Sequence, residues 1–203
     1  HGVDRELFYP AKTPPPPAIG KLQPYIYFLG RLEEKKNIIG ILQAYRLLRQ
    51  ERKVKHKLVL TGNPGFGFEK IQLHLNKMPG FVRKDIIITG YVENTTLAQY
   101  LRWADIFFFP TLFEGFGMPV LEAMASGVPV VASNTTSLPE IVGRAGLLVN
   151  PSNTLQMAGA LSKIISFPVL KQQLIKKGLI RVKSFRWEKT AQKTLETIQR
   201  IVK

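Results

Sequence analysis

The sequence predicts an α/β protein built on an open, doubly wound parallel sheet. Short apolar runs rich in β-branched and aromatic residues alternate along the chain with segments of helical spacing. Within these runs polar and apolar residues hardly alternate, which is typical of strands buried on both faces of a sheet. Strands that alternate with helices form βαβ units with right-handed crossovers, and these units build a parallel sheet.

Six strands are predicted in order along the chain. Each is a run of five or six mostly apolar residues, and most of the runs end at Gly or Pro. They lie at residues 25–30, 57–62, 85–90, 105–110, 128–133 and 146–150. In doubly wound sheets ligands bind outside the carboxyl ends of the strands, so the loops that follow these runs are the first place to look for a site.

Helices are predicted between and after the strands. The clearest covers residues 37–50, where Ile38, Ile41 and Leu48 fall on one side. Helix 95–104 is expected to be capped by Thr95 or Thr96. The others are a weaker helix at 68–78, a helix at 118–127 with Pro119 in its first turn and Gly127 just past its end, a short turn at 137–143, and helices at 154–165, 169–182 and 187–203.

Domain boundaries and general class follow from composition. Four consecutive prolines at 14–17 favour a stiff segment, so residues 1–20 are predicted to be a linker and 21–203 the domain. The chain has no cysteine, which argues against a disulfide framework or a thiolate metal site and fits a reducing cytosol. The formal net charge of +15 indicates anionic partners, although most basic residues are expected to be solvated helix faces.

The loops at the carboxyl ends of the strands predict a diphosphate cradle. The loop after the first strand carries Arg31 and Lys36, and the loop after the fourth strand opens a helix at residues 115–118. The first N–H groups of a helix are free and its dipole is positive there, so residues Gly115 to Met118 can present amides to an anion. Arg31 and Lys36 would add full positive charge to the same pocket.

Glu114 and Glu122 bracket this turn in an E-x7-E pattern. Carboxylates that accept hydrogen bonds from hydroxyl pairs are a common way to hold ribose or sugar. The pattern therefore indicates a ligand with hydroxyls at both ends and negative charge in the middle. The competing interpretation is a loop acid and a helix-surface acid without a ligand, with Arg31 a surface charge at the end of a strand.

Other chemistry finds little support. There is no G-x-x-x-x-G-K-[ST] loop and no H-E-x-x-H motif, and the first strand–helix turn lacks G-x-G-x-x-G. Ser126 does not lie in a G-x-S-x-G elbow, and the absence of cysteine argues against a zinc site. His56 and His74 are interpreted as surface or packing residues.

These motifs together resemble a known family. The stretches "GRLEEKKN", "PTLFEGFGMPVLEAMASGVPVVAS" and "AGLLVNP" are similar to the C-terminal, donor-binding domain of retaining glycosyltransferases of the GT4 type. That domain is Rossmann-like and forms one half of a GT-B fold. The opening "HGVDRELFYP" resembles the segment that links the two halves, and the resemblance covers nearly the whole chain. The N-terminal, acceptor-binding half of the family is absent from this sequence.

The resemblance implies a role for each matching position. Three residues match those that act on the reacting groups: Arg31, Lys36 and Glu114. The remaining positions match donor-binding residues: Gly30, Gly62, Gly90, Tyr91, Val92, Gly115, Phe116, Gly117, Met118 and Glu122. Arg31 and Lys36 would hold the diphosphate, Glu114 the transferred sugar and Glu122 the ribose. Asn37 departs from the glycine that many members have there.

The implied parent protein is a hexosyltransferase that uses a UDP-sugar or GDP-sugar and a saccharide or lipid-linked acceptor. No metal or other cofactor is expected, because the cations are built in, and the isolated chain is expected to be inactive. A cytoplasmic location is expected, with an anionic membrane surface as a candidate partner. Two alternatives stay open: another GT-B activity, such as a nucleotide-sugar epimerase or a sucrose or starch synthase relative, and a basic, non-catalytic nucleic-acid-binding module.

Overall fold

A single parallel sheet organises the computed structural model, which describes residues 1–52 and 54–202. Its strands lie in the order β3-β2-β1-β4-β5-β6, and every neighbouring pair is parallel. They are β1 (Tyr25–Leu29), β2 (Lys57–Thr61), β3 (Ile86–Gly90), β4 (Ile106–Phe109), β5 (Val130–Ser133) and β6 (Gly146–Val149). The predicted doubly wound parallel sheet is confirmed.

The helices of the described chain also follow the prediction closely. They are α1 (Pro17–Gly20), α2 (Ile38–Arg52), α3 (Phe68–Asn76), α4 (Gly80–Arg83), α5 (Asn94–Arg102), α6 (Met118–Ala125), α7 (Leu138–Val142), α8 (Thr154–Ser166), α9 (Pro168–Arg181) and α10 (Trp187–Ile201). Short 3-10 turns cover Glu34–Lys36 and Val182–Ser184. The single turns α1 and α4 were not expected from the sequence.

The predicted cap of α5 is wrong. The helix begins at Asn94 and follows Glu93, whose carbonyl accepts the amide of Leu97 at 2.8 Å. Thr95 and Thr96 therefore lie inside the first turn, and no side chain caps this helix. The capping position is Glu93, two residues before Thr95, and its backbone carbonyl rather than a side chain accepts the hydrogen bond that starts the helix.

The core is aromatic at the centre of the sheet. Phe109 of β4 stacks on Phe107 at 5.5 Å and on Phe28 of β1 at 5.8 Å between ring centroids, and all three side chains are fully buried. Burying a side chain of this size stabilises the fold by roughly 1.5–3 kcal/mol. This packing holds β1 and β4 rigidly together, so the loops at their carboxyl ends leave from a fixed position.

The first residues pack on the domain. Val3 and Phe8 are buried in the core. Arg102 of α5 donates hydrogen bonds to the carbonyls of Leu7 at 2.9 Å and Tyr9 at 3.1 Å, and its guanidinium lies 3.6 Å from the centre of the Tyr9 ring. The assignment of residues 1–20 as a linker stays a prediction.

The last helix behaves differently from the rest. α10 buries none of its residues, and its exposed apolar side chains Leu195, Ile198 and Ile201 recur at helical spacing on one side. None of the helices in the described ranges has the length and apolar character needed to cross a membrane.

The strand order places a switch point beside β1. This strand pairs with β2 on one side and with β4 on the other. The chain builds the sheet outward from β1 through β2 and β3 and then crosses back to build the other side from β4 to β6. Loops diverge at such a point and open a crevice at the carboxyl ends of the two strands. The loops after β1, β2, β3 and β4 carry most of the predicted site residues. Gly90 is the last residue of β3, and Met118 and Glu122 lie on α6.

Candidate functional site

One side of the crevice is an open cleft above β1, β2 and β3. Its volume is about 490 Å³. Five of the predicted residues line it: Gly30, Arg31, Gly62, Tyr91 and Val92. Sequence reasoning missed the others: Leu29, Thr61, Asn63, Asn94 and Leu97. The cleft therefore combines apolar side chains with the amide groups of Asn63 and Asn94 and the guanidinium of Arg31.

Glycine at position 62 is required by a close approach of two loops. A Cβ built on Gly62 would lie 2.0 Å from the carbonyl oxygen of Gly30, and φ at Gly62 is +145°. The Gly62 amide donates to the carbonyl of Gly90 at 2.9 Å. Predicted positions at the carboxyl ends of three neighbouring strands, Gly30, Gly62 and Gly90, thus lie next to one another. Gly90 itself has open space where a side chain would be.

The side chains around the cleft are largely solvent-facing. Arg31 is 69% exposed, and its Nε lies 4.0 Å from Glu33 Oε2. Tyr91 is 65% exposed. An exposed aromatic ring and an exposed guanidinium can adjust to a planar, anionic ligand without breaking strong internal contacts.

The other side of the crevice is the turn Glu114–Met118 between β4 and α6. Within the described chain, the amides of Gly115, Phe116, Gly117 and Met118 donate no backbone hydrogen bond. Gly117 has φ +103°, and a Cβ there would lie 2.6 Å from Leu138 Cδ2, so the turn needs glycine at this position. Free amides at the positive end of a helix dipole form an anion-binding site.

The side chain of Phe116 faces away from this turn. Its ring packs edge-on against Phe185 at 6.2 Å and against His1 at 4.4 Å. Only the backbone of Phe116 can therefore serve a ligand at the turn. Gly115, in contrast, is exposed and has no atom within 4 Å of the place a Cβ would occupy.

Lys36 and Glu114 form an ion pair beside the turn. Lys36 Nζ donates to Glu114 Oε2 at 2.5 Å, and the two side chains are only 15% and 16% exposed. Nζ also lies 5.4 Å from the centre of the Phe109 ring. A Cβ on Gly30 would lie 3.7 Å from Lys36 Cε, so the lysine stem connects the turn to the cleft.

Asn37 holds the loops around this pair together. Its φ is +58°, a region that Asn tolerates better than most residues. Its Nδ2 donates to the carbonyls of Pro110 at 2.9 Å and Pro151 at 2.8 Å, which lie after β4 and β6. Asn37, at the position where many members of the family have glycine, thus forms two tertiary contacts. A Cβ on Gly40 would lie 2.4 Å from Asn37 Oδ1, so the neighbouring glycine makes room for this side chain.

Thr136 and Ser137, after β5, fix the backbone of the turn, and sequence reasoning missed both. Ser137 Oγ donates hydrogen bonds to the carbonyl of Glu114 at 2.9 Å and to the carbonyl of Phe116 at 3.0 Å. Thr136 Oγ1 accepts the Glu114 amide at 3.2 Å, and Thr136 has φ +54°. A non-glycine residue in this region is uncommon and often marks a functional site. Their place at the carboxyl end of a strand was the available signal.

Glu122 lies on α6 and has an unusual ionisation. Burial raises the pKa of its carboxyl to about 7 from 4.5. In the described chain, its carboxylate takes part in no hydrogen bond or ion pair with another side chain. A ligand that donates hydrogen bonds to the carboxylate would favour its charged form and lower this pKa.

The free amides of the turn lie beside the Lys36–Glu114 pair. Arg31 lines the cleft, and Glu122 follows about one helical turn into α6. Cations at Arg31 and Lys36 and the free amides of the turn supply positive potential, and Glu114 and Glu122 supply acceptors. Within residues 1–52 and 54–202 there is no cluster of three His, Asp or Glu side chains suited to a metal ion. That no metal is needed stays a prediction.

Comparison with known proteins gives the family. A family model described as "Glycosyl transferases group 1" matches residues 23–166. The O-antigen chain mannosyltransferase B of Escherichia coli is 35% identical over 85% of this chain and 45% of its own length. The MMP alpha-(1->4)-mannosyltransferase of Mycolicibacterium hassiacum is 31% identical over 99% of this chain and 47% of its own length. The chain thus spans about half the length of these curated relatives.

Solved structures agree with the sequence relatives. Sucrose-phosphate synthase from Thermosynechococcus elongatus superposes with a TM-score of 0.81 and 25% identity, over 99% of this chain and 51% of that one. The C-terminal domain of a glycosyl transferase group 1 family protein from Francisella tularensis gives a TM-score of 0.74 and 26% identity, over 90% of this chain and 97% of that one.

Proposed function

This chain belongs to the glycosyl transferases group 1 family and has the GT-B C-terminal fold, and from that premise we propose that it binds a nucleotide-diphosphate-sugar for a retaining glycosyltransferase. The reaction of the parent protein would transfer a hexosyl unit to a saccharide or a lipid-linked acceptor. Such products are polysaccharides or glycolipids.

The observation that carries the proposal is the turn Gly115–Met118. Its amides are free of backbone partners, it opens α6, and it lies beside the Lys36–Glu114 pair. A diphosphate placed there would meet backbone donors and a lysine, while the nucleoside extends into the cleft lined by Tyr91 and Val92. No other part of a nucleotide sugar needs so many donors at one point.

Each charged residue then has a chemical task. Arg31 and Lys36 stabilise the negative charge that develops on the diphosphate as the glycosidic bond breaks. Glu114 orients the transferred sugar once the ligand draws Lys36 toward its phosphates. Glu122 accepts hydrogen bonds from the ribose hydroxyls. With these cations in place the leaving group needs no metal ion.

A mannosyl donor is the first to test, because two curated relatives are named mannosyltransferases. The base can be uracil or guanine, so both UDP- and GDP-linked sugars belong in the experiment. The acceptor would be positioned by the part of the parent protein that this chain lacks. The names of the relatives do not favour an epimerase or a nucleic-acid-binding module.

Calorimetry on the purified chain tests the proposal. UDP- and GDP-linked mannose and glucose are titrated in parallel with uridine, guanosine and inorganic phosphate. We expect binding of at least one nucleotide sugar, of modest affinity because half of the enclosure is absent. Binding of none of them, together with a salt-dependent gel shift of an oligonucleotide, would overturn the proposal in favour of nucleic acid.

The same chain should not transfer the sugar at a useful rate. Transfer needs an oriented acceptor and exclusion of water, and orientation alone accounts for several kcal/mol of a barrier, roughly 7–11 in well-aligned systems. A transfer assay with several acceptors checks this expectation. Efficient turnover by the chain alone would contradict the assignment of catalysis to a cleft between two domains.

A further inference from the structure

The charge of the chain is concentrated in one acid-free stretch. No Asp or Glu occurs between Glu140 and Glu188, and the basic residues within this interval are Arg144, Lys163, Lys171, Lys176, Lys177, Arg181, Lys183 and Arg186. The interval contains the whole of α8 and α9. A helical surface without acidic residues produces a positive potential that its own side chains do not neutralise.

Some of these basic residues have structural partners. Lys171 pairs with Asp105 at 2.8 Å, and the Arg181 guanidinium donates to the carbonyls of Ile141 and Glu140. In contrast, Lys176, Lys177 and Lys183 are exposed and form none of the ion pairs found among the described residues. These three lysines are available to an external anion.

The helix α9 also exposes apolar side chains. Val169 is 72% exposed and Ile180 57%, while Phe167, just before α9, is 59% exposed. Val169, Gln173, Lys176 and Ile180 are four, three and four residues apart, so they share the outer face of the helix. The inner face is buried through Leu174 and Gly178, and Gly178 contacts Met124 of α6.

We propose that the surface formed by α9 and its two ends docks on an anionic lipid surface. This surface, the α9 face, consists of Phe167 just before the helix, of Lys183 in the turn after it, and of four residues on it: Val169, Lys176, Lys177 and Ile180. The lysines would contact lipid phosphates, and the apolar side chains would enter the boundary between headgroups and acyl chains. Nucleic acid would satisfy the lysines but would leave the exposed aliphatic side chains in water. This inference goes beyond donor binding and does not depend on it.

Vesicle sedimentation tests the proposal with the whole chain. Vesicles of phosphatidylglycerol and phosphatidylcholine are compared with vesicles of phosphatidylcholine alone, at low and high salt. We expect binding only to the anionic vesicles, weakened by salt. Equal binding to both vesicle types, or binding to neither, would overturn the proposal.

A charge-matched pair of variants locates the surface. Lys176→Glu/Lys177→Glu/Lys183→Glu should lower vesicle affinity by at least about tenfold. The control Lys12→Glu/Lys77→Glu/Lys84→Glu changes the net charge equally at exposed lysines elsewhere and should lower it much less. Equal losses would mean that net charge, not the α9 face, drives binding. Lys→Gln substitutions at the same three α9 positions replace the first variant if its circular dichroism shows that it is unfolded.

The apolar contribution needs its own variant. Val169→Gln/Ile180→Gln should reduce anionic-vesicle binding at high salt, where lysine contacts are screened, and leave low-salt binding less affected. The competing surface is the exposed apolar side of α10, so Leu195→Gln/Ile198→Gln is the matched control. A loss confined to the α10 variant, or preferential binding of an oligonucleotide over vesicles, would refute the α9 face as a lipid-docking surface.

Discussion

The two sides of the crevice are built in opposite ways. Above β1, β2 and β3, the cleft is lined by glycine backbone and by exposed side chains such as Arg31 and Tyr91. At the start of α6, the turn is fixed by the Lys36–Glu114 pair and by the hydroxyl of Ser137. A ligand can enter the cleft with little rearrangement, whereas at the turn it must compete with contacts that already exist.

This contrast indicates a division of labour. In the proposed function, the cleft would bind the nucleoside through shape and stacking and contribute affinity. At the turn, Ser137 fixes the backbone whose amides are free, and Lys36 and Glu114 are already paired beside it before a ligand arrives. Donors that are in place in advance are expected where charge develops during a reaction. Substitutions at the turn should therefore change diphosphate binding selectively, and substitutions at the cleft should change it less.

The largest effect is expected from the buried carboxylate of Glu122. Because burial raises its pKa to about 7, the wild-type chain loses stability as the pH rises from the ordinary pKa of a glutamate through 7. Glu122→Gln removes this loss, so the variant should be more stable at pH 8, by an amount on the order of 3 kcal/mol at most, and similar at pH 4. Urea unfolding at both pH values measures this.

Glu69→Gln, at an exposed position on α3, is the control and should show no such pH-dependent gain. In calorimetry near pH 7, wild type should release protons on binding a nucleotide sugar, whereas Glu122→Gln should not. Proton release that is unchanged in the variant would remove Glu122 from the ribose site.

The next effect concerns the ion pair at the turn. Lys36→Ala should weaken binding of UDP or GDP by about ten- to hundredfold, because a hydrogen bond to a charged group contributes roughly 1.5–3 kcal/mol. Nucleoside binding should hardly change. The matched control is Lys35→Ala, whose side chain is 60% exposed. Calorimetry measures the affinity for the diphosphate and for the nucleoside. Equal losses of affinity for both ligands would place Lys36 away from the phosphates.

The sequence predicted the architecture because that information is local. Apolar runs show strands, Pro119 and Gly127 mark the ends of α6, and parallel topology gathers the loops at one edge. These features were enough to bring Gly30, Gly62 and Tyr91 into one cleft.

The contacts at the turn are not local and could not be predicted in the same way. Lys36 and Glu114 are 78 positions apart, and Asn37 reaches Pro151 across 114 positions. No residue pattern shows which lysine meets which glutamate, or that Ser137 holds the carbonyls of a loop more than twenty positions earlier. Such pairs become visible only when the sheet order is known.

A smaller effect is expected at Ser137. Ser137→Ala removes the hydroxyl from two carbonyls of the turn, a contribution of roughly 0.5–1.5 kcal/mol for an ordinary hydrogen bond. Affinity for the diphosphate should fall several-fold while the affinity for nucleoside stays the same. Ser152→Ala, at an exposed position after β6, is the control. A variant that loses thermal stability but keeps its diphosphate affinity would give Ser137 a purely structural role.

The smallest effect is expected at the cleft. Arg31→Ala removes a guanidinium that is 69% exposed, and exposed charge pairs contribute at most about 1 kcal/mol. Diphosphate affinity should therefore fall by no more than about fivefold, and added salt should reduce the difference. A loss larger than that of Lys36→Ala in the same titration would reverse the proposed division between cleft and turn.

Anion binding at the turn is tested most directly by NMR of its backbone amides. In a ¹⁵N-labelled chain, the N–H signals of Gly115, Phe116, Gly117 and Met118 are recorded during titration with UDP, GDP and the matching nucleosides. We expect large shifts of these signals with a diphosphate and small shifts with its nucleoside, while the signals of Tyr91 and Val92 should respond to both. Turn signals that stay unchanged at saturating diphosphate would contradict the claim that this turn binds the anion.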